Sequence, residues 1–76
     1  MPPLPLPSGH EVLRVFESLG WEVARQRGSH IVLVKDGFLA TLSVPDHRTV
    51  ARWTLRSLIR AADRTVSEFV AAAKEL

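Results

Sequence analysis

The apolar positions of the chain change period twice. From Ser8 onward Val12, Leu13, Phe16 and Leu19 fall on one stripe of a 3.6-residue helix, while Glu11, Arg14, Glu17 and Ser18 lie largely off it. Ser8 and Glu11 stand three apart, the spacing of a capping box, and Gly20 can take the left-handed conformation that ends a helix. The spacing therefore predicts a helix from about Gly9 to Leu19. Beyond Gly20 the period becomes two, with Trp21, Val23, Arg25 and Arg27 alternating with Glu22, Ala24 and Gln26 until Gly28-Ser29 breaks the run. His30 to Lys35 is rich in Val and Ile, Asp36-Gly37 is a strong two-residue hairpin signal, and Phe38 to Val44 alternates again before Pro45 stops it. Three strands joined by short turns predict an antiparallel meander.

Asp46 to Val50 is polar and lacks periodicity, so it reads as a connection across the sheet edge. Leu55, Leu58, Ile59 and Ala62 then restore helical spacing, with Arg56, Arg60 and Arg64 on or near another face. Thr65 and Glu68 form a second capping-box pair, and Phe69, Val70 and Ala73 give a short terminal helix. The expected class is α+β, a three-stranded antiparallel sheet packed on helices in the order α-β-β-β-α-α. Such a sheet buries one face under helices and leaves the other partly open. On the second strand His30, Val32 and Val34 share one face, and Ile31, Leu33 and Lys35 the other. A buried imidazole needs a dedicated hydrogen-bond partner, so His30 is expected to point outward, with Val32 and Val34 exposed beside it.

Composition narrows what this fold can do. The 76 residues suffice for one domain with one small core, and 46% hydrophobic with 24% charged residues is an ordinary balance for a folded chain. The division expected is an extended proline-rich arm over 1–7 and a globular part over 8–76. There is no cysteine, so thiolate metal sites, disulfides and thiol nucleophiles are excluded. No stretch approaches the roughly 20 apolar residues that span a bilayer. Pro2, Pro3, Pro5 and Pro7 forbid the apolar helix of a secretory leader, and a cytoplasmic location is expected.

A formal net charge of +2 identifies no partner, but Arg25, Arg27, Arg48, Arg52, Arg56, Arg60 and Arg64 recur through the middle and second half. Arginine's planar fork pairs with phosphate oxygens, although the same pattern also fits a solvated, salt-bridged face. Of the histidines, His10 falls in the first turn of a helix and is expected to face solvent, and His47 lies in a loop, as an exposed residue or a substrate contact. His30 follows Gly28-Ser29 and comes after two arginines, which places a group that titrates near neutrality at a turn among phosphate-seeking side chains. A structural histidine would fit the spacing equally. The acidic residues are scattered, no glycine-rich loop precedes a helix, and nothing announces a serine-hydrolase triad, so metal, nucleotide and triad sites are not expected. One histidine and several arginines do suit RNA cleavage, in which the RNA's own 2′-hydroxyl attacks the adjacent phosphate.

The run Gly20-Trp21-Glu22-Val23-Ala24-Arg25-Gln26-Arg27-Gly28-Ser29-His30 resembles the signature of the HicA family of toxins from toxin-antitoxin pairs. The likeness continues through Asp36-Gly37, Val44-Pro45 with His47, and Thr54-Leu55-Arg56-Ser57-Leu58-Ile59. It implies a fold like the double-stranded-RNA-binding domain, metal-independent cleavage of mRNA without a cofactor, and neutralisation by a HicB-type antitoxin. It also implies that His30 is the single catalytic histidine, that Gly28 shapes the turn and that Ser29 flanks the site. Charge adds phosphate contacts from Arg25, Arg27 and Arg56. The alternative function is a non-catalytic RNA-binding module of the same fold, and a monomer is expected when the chain is free. Two departures stand out: Trp53 occupies a position before Thr54-Leu55-Arg56 where the family commonly has glycine, and Ala61-Ala62-Asp63 lacks a glycine usual near that helix end.

Overall fold

The computed structural model describes residues 6–76, so most of the expected proline-rich arm lies outside the described residues. The elements are α1 (Gly9–Ser18), β1 (Glu22–Arg27), β2 (His30–Val34), β3 (Leu42–Pro45), α2 (Arg52–Ala61) and α3 (Val66–Lys74). The strands pair antiparallel in the order β1-β2-β3, which is the α+β arrangement the periodicity predicts. Among the described residues no helix is long and apolar enough to cross a membrane.

Local chemistry sets the helix ends. The Ser8 hydroxyl accepts from the Glu11 N–H at 3.2 Å while the Ser8 N–H donates to the Glu11 carboxylate at 2.9 Å, and Thr65 with Glu68 repeats the device on α3. Each carboxyl is held below the usual carboxylate range, first by the hydrogen bond from the cap residue's backbone and then by its hydroxyl. Gly20, at φ 100°, closes α1: its N–H donates to the Glu17 carbonyl and the Trp21 N–H to that of Phe16, both at 3.0 Å. The same pair of bonds ends α2, from Asp63 to Arg60 and from Arg64 to Ile59, with Asp63 at φ 58°. The glycine missing from Ala61-Ala62-Asp63 is thus replaced by a left-handed aspartate.

Helical stripes and one sheet face meet in the core. Ile31 stands opposite Val44 and Leu33 opposite Leu42, and these four pack with Val12, Phe16, Val50 and Ile59. Phe16 of α1 meets Phe69 of α3 at a centroid separation of 5.3 Å, which ties the last helix to the first.

Three expectations need correction. The third strand starts at Leu42, not Phe38, because the segment after Gly37 leaves the sheet. Phe38 turns inward onto Trp21 with ring centroids 5.0 Å apart, and Lys35 reaches the Leu19 carbonyl at 2.9 Å. Those contacts hold the segment away from ladder pairing, although the turn itself forms, with the Phe38 N–H donating to the Lys35 carbonyl at 3.1 Å. In β1 the even alternation is broken by a bulge at Ala24: Val23 pairs with Leu33 on the core side, whereas Arg25 pairs with Val32 and Arg27 with His30 on the other. Finally, Val32 is only 8% exposed rather than open to solvent. It sits on the central strand between Arg25 and Ser43, with His30 and Val34 before and after it on the same face, and these neighbours cover its short side chain. Val34 is exposed as expected.

Candidate active site

Gly28 and Ser29 form the two-residue connection between β1 and β2. Gly28 has φ 58°, and a Cβ there would touch nothing within 4 Å, so the demand for glycine is conformational and not spatial. His30, the first residue of β2, is exposed, as predicted. Because directly paired residues share a sheet face, the register set by this two-residue turn puts Arg25 and Arg27 on the face that carries His30, and the bulge beyond them moves only Val23 to the other face.

The turn is buttressed from the loop that follows β3. The Asp46 N–H donates to the Ser29 carbonyl at 2.7 Å, and Gln26 Nε2 bridges the Gly28 carbonyl (3.2 Å) and the Asp46 carboxylate (3.4 Å). Asp46 also lies 3.2 Å from His10 Nε2, so His10, expected merely to face solvent, is exposed but engaged. The N-terminus of α1 holds the next residue, through the Gly9 N–H donating to the His47 carbonyl at 2.8 Å. A Cβ at Gly9 would collide with the Pro45 carbonyl oxygen, so this contact requires glycine.

These bonds place the His47 ring 6.5 Å from that of His30, centroid to centroid. Both imidazoles line a groove of about 650 Å³ between β3 and α2, whose lining includes Ser43, Trp53, Thr54 and Ser57. Trp53 is 74% exposed at the start of α2. The N-cap of that helix, Ala51, supplies no side-chain hydrogen bond to the first-turn amides.

Arg56 does not join this group. It lies on the other flank of α2, lining a separate cavity with Pro7, Arg52 and Phe69. The phase of α2 separates the two sets: Trp53, Thr54, Ser57 and Leu58 face the His30 groove, and Arg52, Leu55, Arg56 and Ile59 face the other. His47, for which the sequence left two readings, is brought beside His30. The resemblance ran through Val44-Pro45 with His47, but what sets His47 beside His30 is the pairing of Pro45 with His30 across the sheet. Among the described residues no group of three or more His, Cys, Asp or Glu is gathered as a metal site.

An exposed imidazole on one face with two guanidiniums can accept a proton from a hydroxyl while an anionic phosphate is held nearby. The sequence model of one family, described as HicA toxin of bacterial toxin-antitoxin, matches residues 9–63. That span contains every residue of the groove, and α3 lies beyond it. Neither a curated protein nor a solved structure matches the chain.

Proposed function

The chain belongs to the HicA family of bacterial toxins, and from that premise we propose that it is an endoribonuclease that cuts mRNA, with His30 as the base that takes the 2′-hydroxyl proton. The observation that carries this reading is the exposed His30 on one sheet face with Arg25 and Arg27, at the edge of a groove open to solvent. The attacking oxygen belongs to the RNA itself. The protein's tasks at the attacking side are therefore to position the phosphate, take the 2′-hydroxyl proton and offset the charge that builds on the phosphoryl oxygens, none of which calls for a metal ion.

Arg25 and Arg27 hold phosphate oxygens, Gly28 sets the turn that presents His30, and Ser29 flanks it. Trp53 offers an indole face on which an unstacked base can rest, a mode of single-strand recognition that tolerates any base. Arg56, on the far flank of α2, would meet RNA only beyond the nucleotide that is cut. Such a substrate places the protein in the cytoplasm.

Membership of a toxin-antitoxin family implies an antitoxin partner. We take that partner to be of the HicB type and to act by covering the His30 face. A standard interface buries roughly 800 Å² per partner, a sizeable share of the 5425 Å² this chain exposes, so a partner seated on that face excludes RNA.

Purified protein should cut mRNA in the presence of a chelator, and His30→Ala should stop cutting while its circular dichroism matches the parent's. A His30→Ala protein that cuts at the parent rate would remove His30 from the chemistry. Binding without any cleavage would instead favour the RNA-binding module.

A further inference from the structure

RNA cleavage by internal attack moves two protons, not one. As the 2′-oxygen forms its bond to phosphorus it must lose a proton, and as the bond from phosphorus to the 5′-oxygen breaks, the departing alkoxide must gain one. A base alone leaves the second demand unmet. Attack and departure occur on opposite sides of the phosphorus, so the two proton carriers must face each other across the phosphate.

The groove that His30 lines holds a second imidazole, that of His47. We propose that His47 is a second catalytic residue, the general acid that protonates the 5′-oxygen while His30 acts as base; this rests on the RNA-cleaving reading above. The ring centroids are 6.5 Å apart, enough for one phosphate with an apical oxygen within hydrogen-bond reach of each ring. Both rings line the same groove, and both side chains are exposed to an incoming strand.

The spacing is imposed by the backbone. Pro45 pairs with His30 across the sheet, the Asp46 N–H is bonded to the Ser29 carbonyl, and the His47 carbonyl is bonded to Gly9 of α1. The loop is thus fixed to the His30 turn on one side and to a helix end on the other. The close packing of Gly9 against the Pro45 carbonyl leaves this segment little room to move.

In the step itself, the 2′-hydroxyl proton passes to neutral His30 as the 2′-oxygen bonds to phosphorus. The 5′-oxygen leaves with a proton from His47 imidazolium. The products are a 2′,3′-cyclic phosphate and a 5′-hydroxyl, with no change in oxidation state and no co-reactant. The charged groups around the pair are Arg27 opposite His30, Arg25 farther along β1 on the same face, Asp46 and Arg48 beside His47, and His10 of α1 against Asp46. The α2 residues that line the groove are uncharged.

The test compares two substrates: an ordinary oligoribonucleotide, and the same strand with sulfur replacing the bridging 5′-oxygen at the cut position. A thiolate leaves without being protonated, so it does not need the acid. His47→Ala and His47→Gln should each lose about 10²- to 10⁴-fold in kcat on the ordinary strand and less than about tenfold on the sulfur strand, whereas His30→Ala loses activity on both. In the pH profile, both His47 variants should lose the fall in rate on the alkaline side and keep the fall on the acid side. Equal losses on both substrates, or no loss on the ordinary strand, would overturn the role of His47 and leave that of His30 standing. Absence of cleavage by the parent protein would overturn both.

Discussion

The two faces of β2 divide the labour of this small protein. On one face Ile31 and Leu33, with Val44 and Leu42 opposite, are hydrocarbon only and almost fully buried. Burying each side chain of that kind stabilises the fold by roughly 1.5–3 kcal/mol. The other face carries His30 between Arg27 and Pro45, and Val32 between Arg25 and Ser43, and apart from Val32 these strand residues gain little from burial on β1 and β2. The pleat alternates side chains between faces, so adjacent residues of one strand serve stability and chemistry almost independently. The bulge at Ala24 extends this separation to β1, since without it Val23 would share a face with Arg25 and Arg27.

Substitution on each face should break one property and spare the other. The largest effect is expected for His30→Ala, a loss of about 10²- to 10⁴-fold in RNA cleavage with unfolding free energy unchanged to within about 0.5 kcal/mol. Leu33→Ala, three residues away, should lower stability by about 2–5 kcal/mol. In a chain of 76 residues that is a large part of the total. Urea unfolding measured beside initial cleavage rates, at a temperature where the Leu33→Ala protein is still folded, checks both. A folded Leu33→Ala protein whose rate falls as far as that of His30→Ala would show that the faces are coupled.

A smaller effect belongs to the groove's rim. Trp53→Ala should weaken binding of single-stranded RNA by about 1–3 kcal/mol and leave cleavage of saturating substrate almost unchanged. Fluorescence anisotropy with uncleaved RNA on a His30→Ala background measures the affinity. If affinity is unmoved but an antitoxin binds less well, Trp53 faces the protein partner and not the RNA. Asp63→Gly, on the opposite side of the balance, should stabilise the fold by up to about 1 kcal/mol, because glycine takes a positive φ without the Cβ strain that aspartate bears at φ 58°. Thermal unfolding should show the gain with cleavage unaffected.

What could be seen in the sequence follows the range of the interactions. Ser8 with Glu11, Thr65 with Glu68, and Gly20 act over a few residues, and each does what its spacing predicts. The Gly28-Ser29 turn, the outward His30 and its neighbouring arginines were legible for the same reason. Phe38 was misread because its partner, Trp21, lies far away in sequence and overrides the strand pattern around it. The Ala24 bulge leaves no mark in a run that alternates smoothly. Arg56 looked available for the site because helical spacing gives the faces of α2 without saying which one meets the sheet. His47 needed the register of β3 against β2, which an Asp36-Gly37 hairpin with a strand from Phe38 would have set differently.

The smallest predicted effect is one of pH, and it acts on the folded frame rather than the groove. Glu11 and Glu68 are each more acidic than the ordinary value of 4.5, chiefly through the backbone hydrogen bonds from Ser8 and Thr65. A carboxyl whose folded-state pKa is depressed contributes stability above its unfolded value, and that contribution is lost as pH falls through the folded one. The thermal midpoint should therefore decline on the acid side of 4.5, with no contribution from these groups to any change near neutrality. Glu11→Gln keeps a side chain that can close the capping box but removes the titrating charge. Its midpoint should be slightly lower than the parent's at neutral pH, and the difference should narrow as the parent's carboxyl becomes protonated. Parallel curves for parent and variant across the acid range would show that the cap acts through hydrogen-bond geometry alone.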